Sequence, residues 1–128
     1  MARSSWIPRL ESASSSSAFA AALAFELVTH LPFLDLPYHW DELGYFVPAA
    51  HDLLTTGALV PRSTLANVHP PLLMAYLAVA WKLFGFAVPV TRVAMLVVGA
   101  ATLTVTFLLA RRLAGGRVGL AAGALLAV

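Results

Sequence analysis

Residues 93–110 read VAMLVVGAATLTVTFLLA, an uncharged run between Arg92 and Arg111. An α-helix of this length rises about 27 Å, close to the thickness of the hydrocarbon layer of a bilayer. The flanking arginines are suited to the headgroup layers on either side. The segment therefore predicts a transmembrane helix, and the bilayer becomes the frame in which the rest of the chain is interpreted.

The whole chain has the composition of a membrane protein. Of its 128 residues, 60% are hydrophobic and 11% are charged, whereas soluble domains carry about 25% charged residues. The net charge of +2 is too small for the basic face that a nucleic-acid partner requires. Cysteine is absent, which excludes disulfides and thiolate chemistry. We expect an all-α membrane protein with membrane lipid as a partner and without nucleic acid.

Further apolar stretches predict a polytopic bundle. A polar tail at 1–17 is expected to be cytoplasmic, and a first transmembrane helix follows at 18–34. A second is predicted at 71–89, and residues 93–110 form the third. The stretch at 118–128 rises only about 16 Å, half of the hydrocarbon layer. We therefore expect three full spans and a truncated fourth, and we expect the chain to be the amino-terminal fragment of a longer protein.

Two points of this topology stay open. Because Arg3 and Arg9 precede the first apolar stretch, that stretch also has the pattern of a secretory signal peptide. If the amino terminus is inside, three full spans place Arg111, Arg112 and Arg117 outside, against the positive-inside rule. The sidedness of this arginine loop is therefore undecided from the sequence.

The ionisable residues gather between the first two spans. Residues 35–70 contain all three aspartates, Glu42 and three of the four histidines. Carboxylates and imidazoles concentrated in one extramembrane loop indicate recognition or chemistry. Apolar residues at helical spacing predict an amphipathic helix from Glu42 to Thr56 in this outside loop. Gly57 is expected to cap the helix, and Pro48 is expected to kink or split it.

Several side chains of the loop are candidate site residues. Asp41 directly precedes the predicted helix, so its carboxylate can cap the helix by accepting a backbone N–H. His69 stands before Pro70 and Pro71, at the mouth of the second span. No HExxH or other metal-ligand spacing is present. We therefore assign no metal ligands and no certain cofactor, and a divalent cation stays an open alternative.

The first span contains two ionisable residues of its own. Glu26 and His30 lie four residues apart and so share one face of the helix. A carboxylate at mid-membrane depth costs about 2.5–3.5 kcal/mol, so it should face protein or water. We expect the two side chains to pair, as a structural contact or as a relay in a transport path.

The order of these motifs resembles the amino-terminal part of the GT-C glycosyltransferases, of the bacterial protein-mannosyltransferase and aminoarabinose-transferase type. The resemblance is carried by Asp41-Glu42 at the start of the outside loop, TTGALVP at 55–61, HPPL at 69–72 and WKLFG at 81–85. It covers about residues 18–118. Each motif alone is weak, and their order is more specific.

The resemblance implies a multi-pass enzyme of the inner (cytoplasmic) membrane. Such an enzyme transfers a sugar from a polyprenyl-phosphate donor to a lipid, glycan or protein acceptor at the outer face. Asp41 is implied as the catalytic base, with Glu42 beside it as a second catalytic residue. His69, where many members have lysine, and Arg62 are implied to bind the donor phosphate. The fragment alone is expected to be inactive, and a non-enzymatic membrane subunit or transporter fragment is the competing hypothesis.

Overall fold

The structure is a computed structural model, and it describes residues 12–65 and 70–127. These residues are helical without a strand among them, which confirms the all-α prediction. The helices are α1 (Ser15–His30), α2 (Val47–Thr56), α3 (Leu72–Phe84), α4 (Val88–Ala114) and α5 (Gly116–Leu126). A 3-10 turn, Leu31–Phe33, continues α1, and a π-helical segment, Glu42–Phe46, leads into α2.

Contacts divide the described residues into two compact units. Those within 1–31 and 96–128 form the bundle unit, which contains α1, α5 and most of α4. Those within 32–95 form the loop unit, which contains α2, α3 and the start of α4. Three of the predicted site residues, Asp41, Glu42 and Arg62, belong to the loop unit.

Two described helical segments are long and apolar enough to cross a membrane, Ser15–Phe33 and Val88–Ala114. The first matches the span predicted at 18–34. The second includes the whole span predicted at 93–110 and has 27 residues, which corresponds to a rise of about 40 Å. They are the two longest helical segments among the described residues.

The span predicted at 71–89 does not form as one helix. Helix α3 has 13 residues and rises about 20 Å, short of the hydrocarbon layer. It ends where Gly85 adopts φ 92°, a conformation that glycine accepts readily, and the Gly85 N–H bonds to the Trp81 carbonyl at 2.8 Å. Pro89 lies in the first turn of α4, where a proline needs no hydrogen-bond acceptor. The apolar pattern of 71–89 therefore does not predict the break between α3 and α4.

Helix α1 begins earlier than the sequence predicts. The Ser14 hydroxyl accepts a hydrogen bond from the Ser17 N–H at 3.1 Å, which is the contact of an N-terminal cap. Residues Ser15 to Ser17, assigned to the polar tail from the sequence, consequently belong to the helix. The remainder of the predicted tail, residues 1–11, lies outside the described residues.

The amino end of α1 and the carboxyl end of α4 lie together in the bundle unit. The Arg111 guanidinium donates a hydrogen bond to the Ala13 carbonyl at 2.7 Å. The sequence left the sidedness of the arginine loop undecided, and this contact adds that Arg111 lies beside the start of α1.

The carboxylate inside α1 faces protein, as the desolvation argument requires. A Cβ atom at Gly99 of α4 would lie 3.2 Å from Glu26 Oε1, and the Glu26 side chain is 12% exposed. His30 Nδ1 lies 3.3 Å from Glu26 Oε2. The predicted Glu26–His30 pair is confirmed, and the absent side chain of Gly99 gives it room against α4.

Helix α5 approaches α4 closely because Gly119 has no side chain. A Cβ atom at Gly119 would come within 2.9 Å of the Phe107 carbonyl oxygen and 3.1 Å of Arg111 Cβ. The carbonyl oxygen is part of the α4 backbone and cannot rotate away. Gly123, one turn later, has no atom within 4 Å of the same position.

Replacing Gly119 with alanine is expected to destabilise the bundle unit. Alanine gains about 1 kcal/mol of helix propensity, but the clash forces α5 away from α4 and costs about 1–3 kcal/mol. Gly123→Ala is the matched control, since it has the propensity gain without the clash. Thermal unfolding in detergent, followed by circular dichroism, should give a lower Tm for Gly119→Ala than for Gly123→Ala. Equal Tm values would contradict this packing.

Candidate functional site

The loop unit is organised around the packing of α2 on α3. Val47, Ala49 and Ala50 of α2 form one side of the core, and Met74, Leu77 and Trp81 of α3 form the other; all six are buried. This confirms that the predicted amphipathic helix exists and has one apolar face. The sequence predicts that this face lies along the membrane surface, whereas in the structure it packs mainly on the protein's own α3.

The sequence predicts that Pro48 kinks or splits the helix, and the structure has a π-helical segment directly ahead of α2. Pro48 occupies the first turn of α2, where its missing N–H is tolerated. In a continuous α-helix that N–H would bond to the Gly44 carbonyl. Instead, the Thr64 hydroxyl donates to the Gly44 carbonyl from a distant part of the chain. The proline therefore splits the helix and leaves a carbonyl to which a later segment attaches.

That later segment, residues 57–65, is called the return loop. Gly57 ends α2 with φ 72°, which confirms the predicted cap. Asp52 then anchors the loop, because one of its oxygens, Oδ2, accepts the backbone N–H of Arg62 at 2.6 Å and of Ser63 at 2.7 Å. The Ser63 hydroxyl donates to the same oxygen at 2.9 Å. These hydrogen bonds hold the pKa of Asp52 below its ordinary value. The backbone N–H of Ser63 has the largest effect, and the backbone N–H of Arg62 has the next largest.

Arg92 fastens the start of the π-helical segment to the start of α4. Its guanidinium binds the Glu42 carboxylate through both terminal nitrogens, with Nη1 on Oε1 and Nη2 at 3.0 Å from Oε2. Nη2 also donates to the Pro37 carbonyl at 3.1 Å. Its Cζ atom lies 5.8 Å from the centre of the Tyr38 ring. The two-pronged contact is the geometry that only arginine offers to a carboxylate.

Thr91, beside this clamp, is buried with three hydrogen-bond partners. Its hydroxyl lies 3.2 Å from the Ala87 carbonyl, 2.8 Å from Trp81 Nε1 and 2.5 Å from the Tyr38 hydroxyl. A hydroxyl has one proton to donate, so it donates to Ala87 and accepts from the other two. Thr91 and Arg92 together tie the 37–42 turn to α3 and α4.

The turn that these contacts hold contains a strained tryptophan. Trp40 has φ 37°, a left-handed conformation that costs a non-glycine residue roughly 1–2 kcal/mol. It is bracketed by hydrogen bonds from the His39 N–H to Glu42 Oε2 at 2.9 Å and from the Gly44 N–H to the Trp40 carbonyl at 2.9 Å. The Trp40 side chain is nonetheless 81% exposed. Strain held in place beside an exposed aromatic ring is a feature of binding sites.

Asp41 follows Trp40, and its carboxylate is exposed. It occupies the residue before the π-helical segment, but its side chain makes no capping hydrogen bond. The capping role left open by the sequence is therefore wrong for Asp41. The carboxylate of Glu42, the next residue, accepts the His39 N–H, which lies ahead of the helical segment.

The other predicted residues are placed as follows. Glu42 is held by Arg92, while the Arg62 side chain is exposed on the return loop. His69 lies outside the described residues. Within the described residues, 12–65 and 70–127, no group of three or more His, Cys, Asp or Glu side chains is arranged to hold a metal ion. The catalytic and phosphate-binding roles of these residues stay predictions.

Comparison with known proteins supplies no relative: no family model, curated protein or solved structure matches the chain.

Arg92, Thr91 and Asp52 are the residues whose roles sequence reasoning missed. In the sequence, Arg92 has the position of a charged residue at the end of a span, and Thr91 is its uncharged neighbour. Asp52 has the position of a solvated residue on a helix. The distant partners of these side chains are between 10 and 56 residues away in the chain, and no short motif reports contacts at such separations.

Loss of the Arg92 clamp is expected to destabilise the loop unit. Arg92→Gln removes the ion pair and leaves the Glu42 carboxylate partly buried without its counter-charge, at a cost of about 1–3 kcal/mol. Arg112→Gln is the control, since Arg112 is an exposed arginine elsewhere on α4. Denaturant unfolding in micelles, followed by tryptophan fluorescence, measures both. A double-mutant cycle with Glu42→Gln isolates the pair, and equal effects of the two arginine variants would refute the clamp.

The Asp52 anchor is expected to depend on acid. Because folding lowers the pKa of Asp52 from 3.8, its stabilising effect is complete above that value and is lost as the pH falls through the folded-state pKa. NMR titration should give a carboxyl midpoint below 3.8, with the Arg62 and Ser63 amide signals moving at the same midpoint. Asp52→Asn should abolish that movement. A midpoint at or above the ordinary value would rule the anchor out.

Proposed function

We propose that the loop unit is the acceptor-activating part of a membrane glycosyltransferase of the GT-C type. In this proposal the chain acts in the inner membrane and uses a polyprenyl-phosphate sugar as donor. The observation that carries the proposal is the exposed Asp41 carboxylate, which makes no capping bond and stands next to a strained, exposed Trp40.

Asp41 is proposed as the general base. Sugar transfer requires removal of a proton from the acceptor hydroxyl as it attacks the anomeric carbon, while the bond to the donor phosphate breaks. A carboxylate without an ion-pair partner accepts a proton more readily than one bound to arginine. Within the described residues, Arg92 binds Glu42 and the return loop binds Asp52, whereas the Asp41 carboxylate is exposed and makes no capping hydrogen bond.

Glu42 is proposed to position Asp41 and not to exchange protons itself. Its carboxylate accepts from Arg92 and from the His39 N–H, so it is engaged in contacts that hold the backbone. Through these contacts it fixes the backbone on each side of Asp41. The resemblance implies that Asp41 and Glu42 are both catalytic residues. The proposal instead makes Asp41 the base and Glu42 a positioning residue.

Arg62 is proposed to bind the donor phosphate, with His69 as a second contact. The return loop is attached along α2 at Asp52 and at Gly44, three residues after Asp41. The Arg62 backbone is held by Asp52 while its guanidinium remains exposed. A guanidinium on an anchored backbone is suited to two-pronged contact with phosphate oxygens.

In this proposal transfer takes place at the outer face of the membrane.

The competing proposal, a membrane subunit or transporter fragment, is favoured by one observation. The Glu26–His30 pair is packed against Gly99 inside an apolar helix, and ionisable pairs at such depth occur in transport paths. The same pair is equally compatible with a purely structural contact between α1 and α4.

Asp41→Asn should abolish sugar transfer. Loss of a general base lowers the rate on the order of 10²–10⁴-fold, while the exposed position leaves folding intact. The measurement is transfer from a radiolabelled polyprenyl-phosphate sugar by membranes in which the protein is expressed from its native gene. Asp35→Asn, another exposed carboxylate in the same loop, is the control and should retain activity. Near-normal transfer by Asp41→Asn would refute the proposal, and transfer in neither variant nor wild type would favour the non-enzymatic alternative.

A further inference from the structure

The loop unit has a large aromatic ring on its surface beside the proposed base. Trp40 directly precedes Asp41 and is 81% exposed. The other described tryptophan of this unit, Trp81, is buried and donates its indole N–H to the Thr91 hydroxyl at 2.8 Å. An indole stabilises a fold by being buried, as Trp81 is. The Trp40 ring is outside the core, so packing does not account for a tryptophan at this position.

The backbone that carries the Trp40 ring is fixed on both sides. The His39 N–H before it bonds to the Glu42 carboxylate, which Arg92 holds, and the Trp40 carbonyl accepts the Gly44 N–H at 2.9 Å. With φ at 37°, this backbone would be less strained with glycine in place of tryptophan. The chain therefore has an exposed aromatic side chain at a position where the backbone alone favours glycine, which is typical of a ligand contact.

The neighbours of the ring in the chain are polar. His39 and Asp41 are both exposed, and the centre of the His39 ring lies 6.5 Å from the centre of the Trp40 ring. An imidazole can donate and accept hydrogen bonds, and a carboxylate accepts them. A ligand that covers the Trp40 ring takes water from these groups, which is costly unless the ligand replaces the lost hydrogen bonds. The suitable ligand therefore has an apolar face and hydroxyl groups at its edge.

A pyranose ring has this combination of groups. The C–H bonds on one face of the sugar carry a small positive charge and fit over the negative face of an indole ring, while its hydroxyls project from the edge. We propose that Trp40 is the platform on which a pyranose ring of the acceptor stacks, with His39 and Asp41 beside the sugar hydroxyls. The inference rests on the proposed function, and it narrows the acceptor to a glycan or a glycolipid.

The fixed backbone also favours a sugar over the bilayer as the partner of this ring. Tryptophan is common at membrane interfaces, but an interfacial anchor needs no particular backbone conformation and no particular distance from a carboxylate. A reacting acceptor needs both, because its hydroxyl must be held next to the base. The strain at Trp40 and its place directly before Asp41 therefore favour a platform for the acceptor.

NMR titration of the full chain tests the platform, in a detergent without a sugar headgroup. The probes are methyl β-D-glucopyranoside, methyl α-D-mannopyranoside and N-acetylglucosamine, and mannitol is the open-chain control without a flat C–H face. We expect at least one pyranose to shift the Trp40 indole N–H signal saturably, while the signal of buried Trp81 stays in place. Mannitol should shift neither signal.

Variants separate the ring from its backbone. Trp40→Gly suits the backbone but removes the ring, so it should reduce the saturation transferred to the sugar C–H protons on the order of ten-fold. Trp40→Tyr keeps an aromatic ring and should retain most of the transfer. Phe33→Ala is the matched control, since Phe33 is an exposed aromatic residue of the same unit outside the 37–42 turn, and it should leave the transfer unchanged.

The same titration with Asp41→Asn separates the platform from the proposed base. Stacking on Trp40 does not require the base, so Asp41→Asn should still bind the pyranose. Pyranose binding at Trp40 without sugar transfer by the wild type would support the platform and refute the proposed function, whereas transfer without pyranose binding would overturn the platform alone. Undiminished saturation transfer in Trp40→Gly, or equal shifts with mannitol, would also overturn it. A Trp40 signal that is broadened by spin-labelled lipid and ignores every sugar would overturn it too, and would make the ring an interfacial anchor.

Discussion

The Arg92 guanidinium holds the Glu42 carboxylate, the Pro37 carbonyl and the face of the Tyr38 ring at once. These contacts join the turn before α2 to the first turns of α4, across 50 to 55 residues of sequence. The strained backbone of Trp40 lies within this frame. Glu42 is engaged there by the ion pair, while the Asp41 side chain next to it is exposed and makes no capping hydrogen bond.

Three carboxylates of the loop unit have different roles because their surroundings differ. Glu42 is neutralised by arginine, and Asp52 accepts three hydrogen bonds that fix the return loop. Asp41 faces solvent. A carboxylate that holds a fold is engaged in contacts, whereas one that takes a proton from a substrate must be accessible. This difference is the physical reason for proposing Asp41, and not Glu42 or Asp52, as the base.

In the bundle unit, a carboxyl group lies within an apolar helix and is shielded by its neighbours. Glu26 is shielded by His30 on its own helix and by Gly99 of α4, where the missing side chain makes room. Gly119 serves close packing in another way, by letting α5 approach the Phe107 carbonyl. The missing side chain therefore makes room for a carboxyl group at Gly99 and for a backbone carbonyl at Gly119.

The sequence by itself determined the all-helical class, the two long apolar segments, the amphipathic helix at 42–56 with its Gly57 cap, and the Glu26–His30 pair. Each depends on local periodicity or on residues one turn apart, which a linear pattern records. Only the tertiary structure decided that 71–89 breaks at Gly85, that Arg111 lies beside Ala13, and that Arg92 binds Glu42 while Asp41 is exposed. Those outcomes depend on contacts between distant segments, such as Arg92 with Glu42, and the residue types at their two ends do not specify each other.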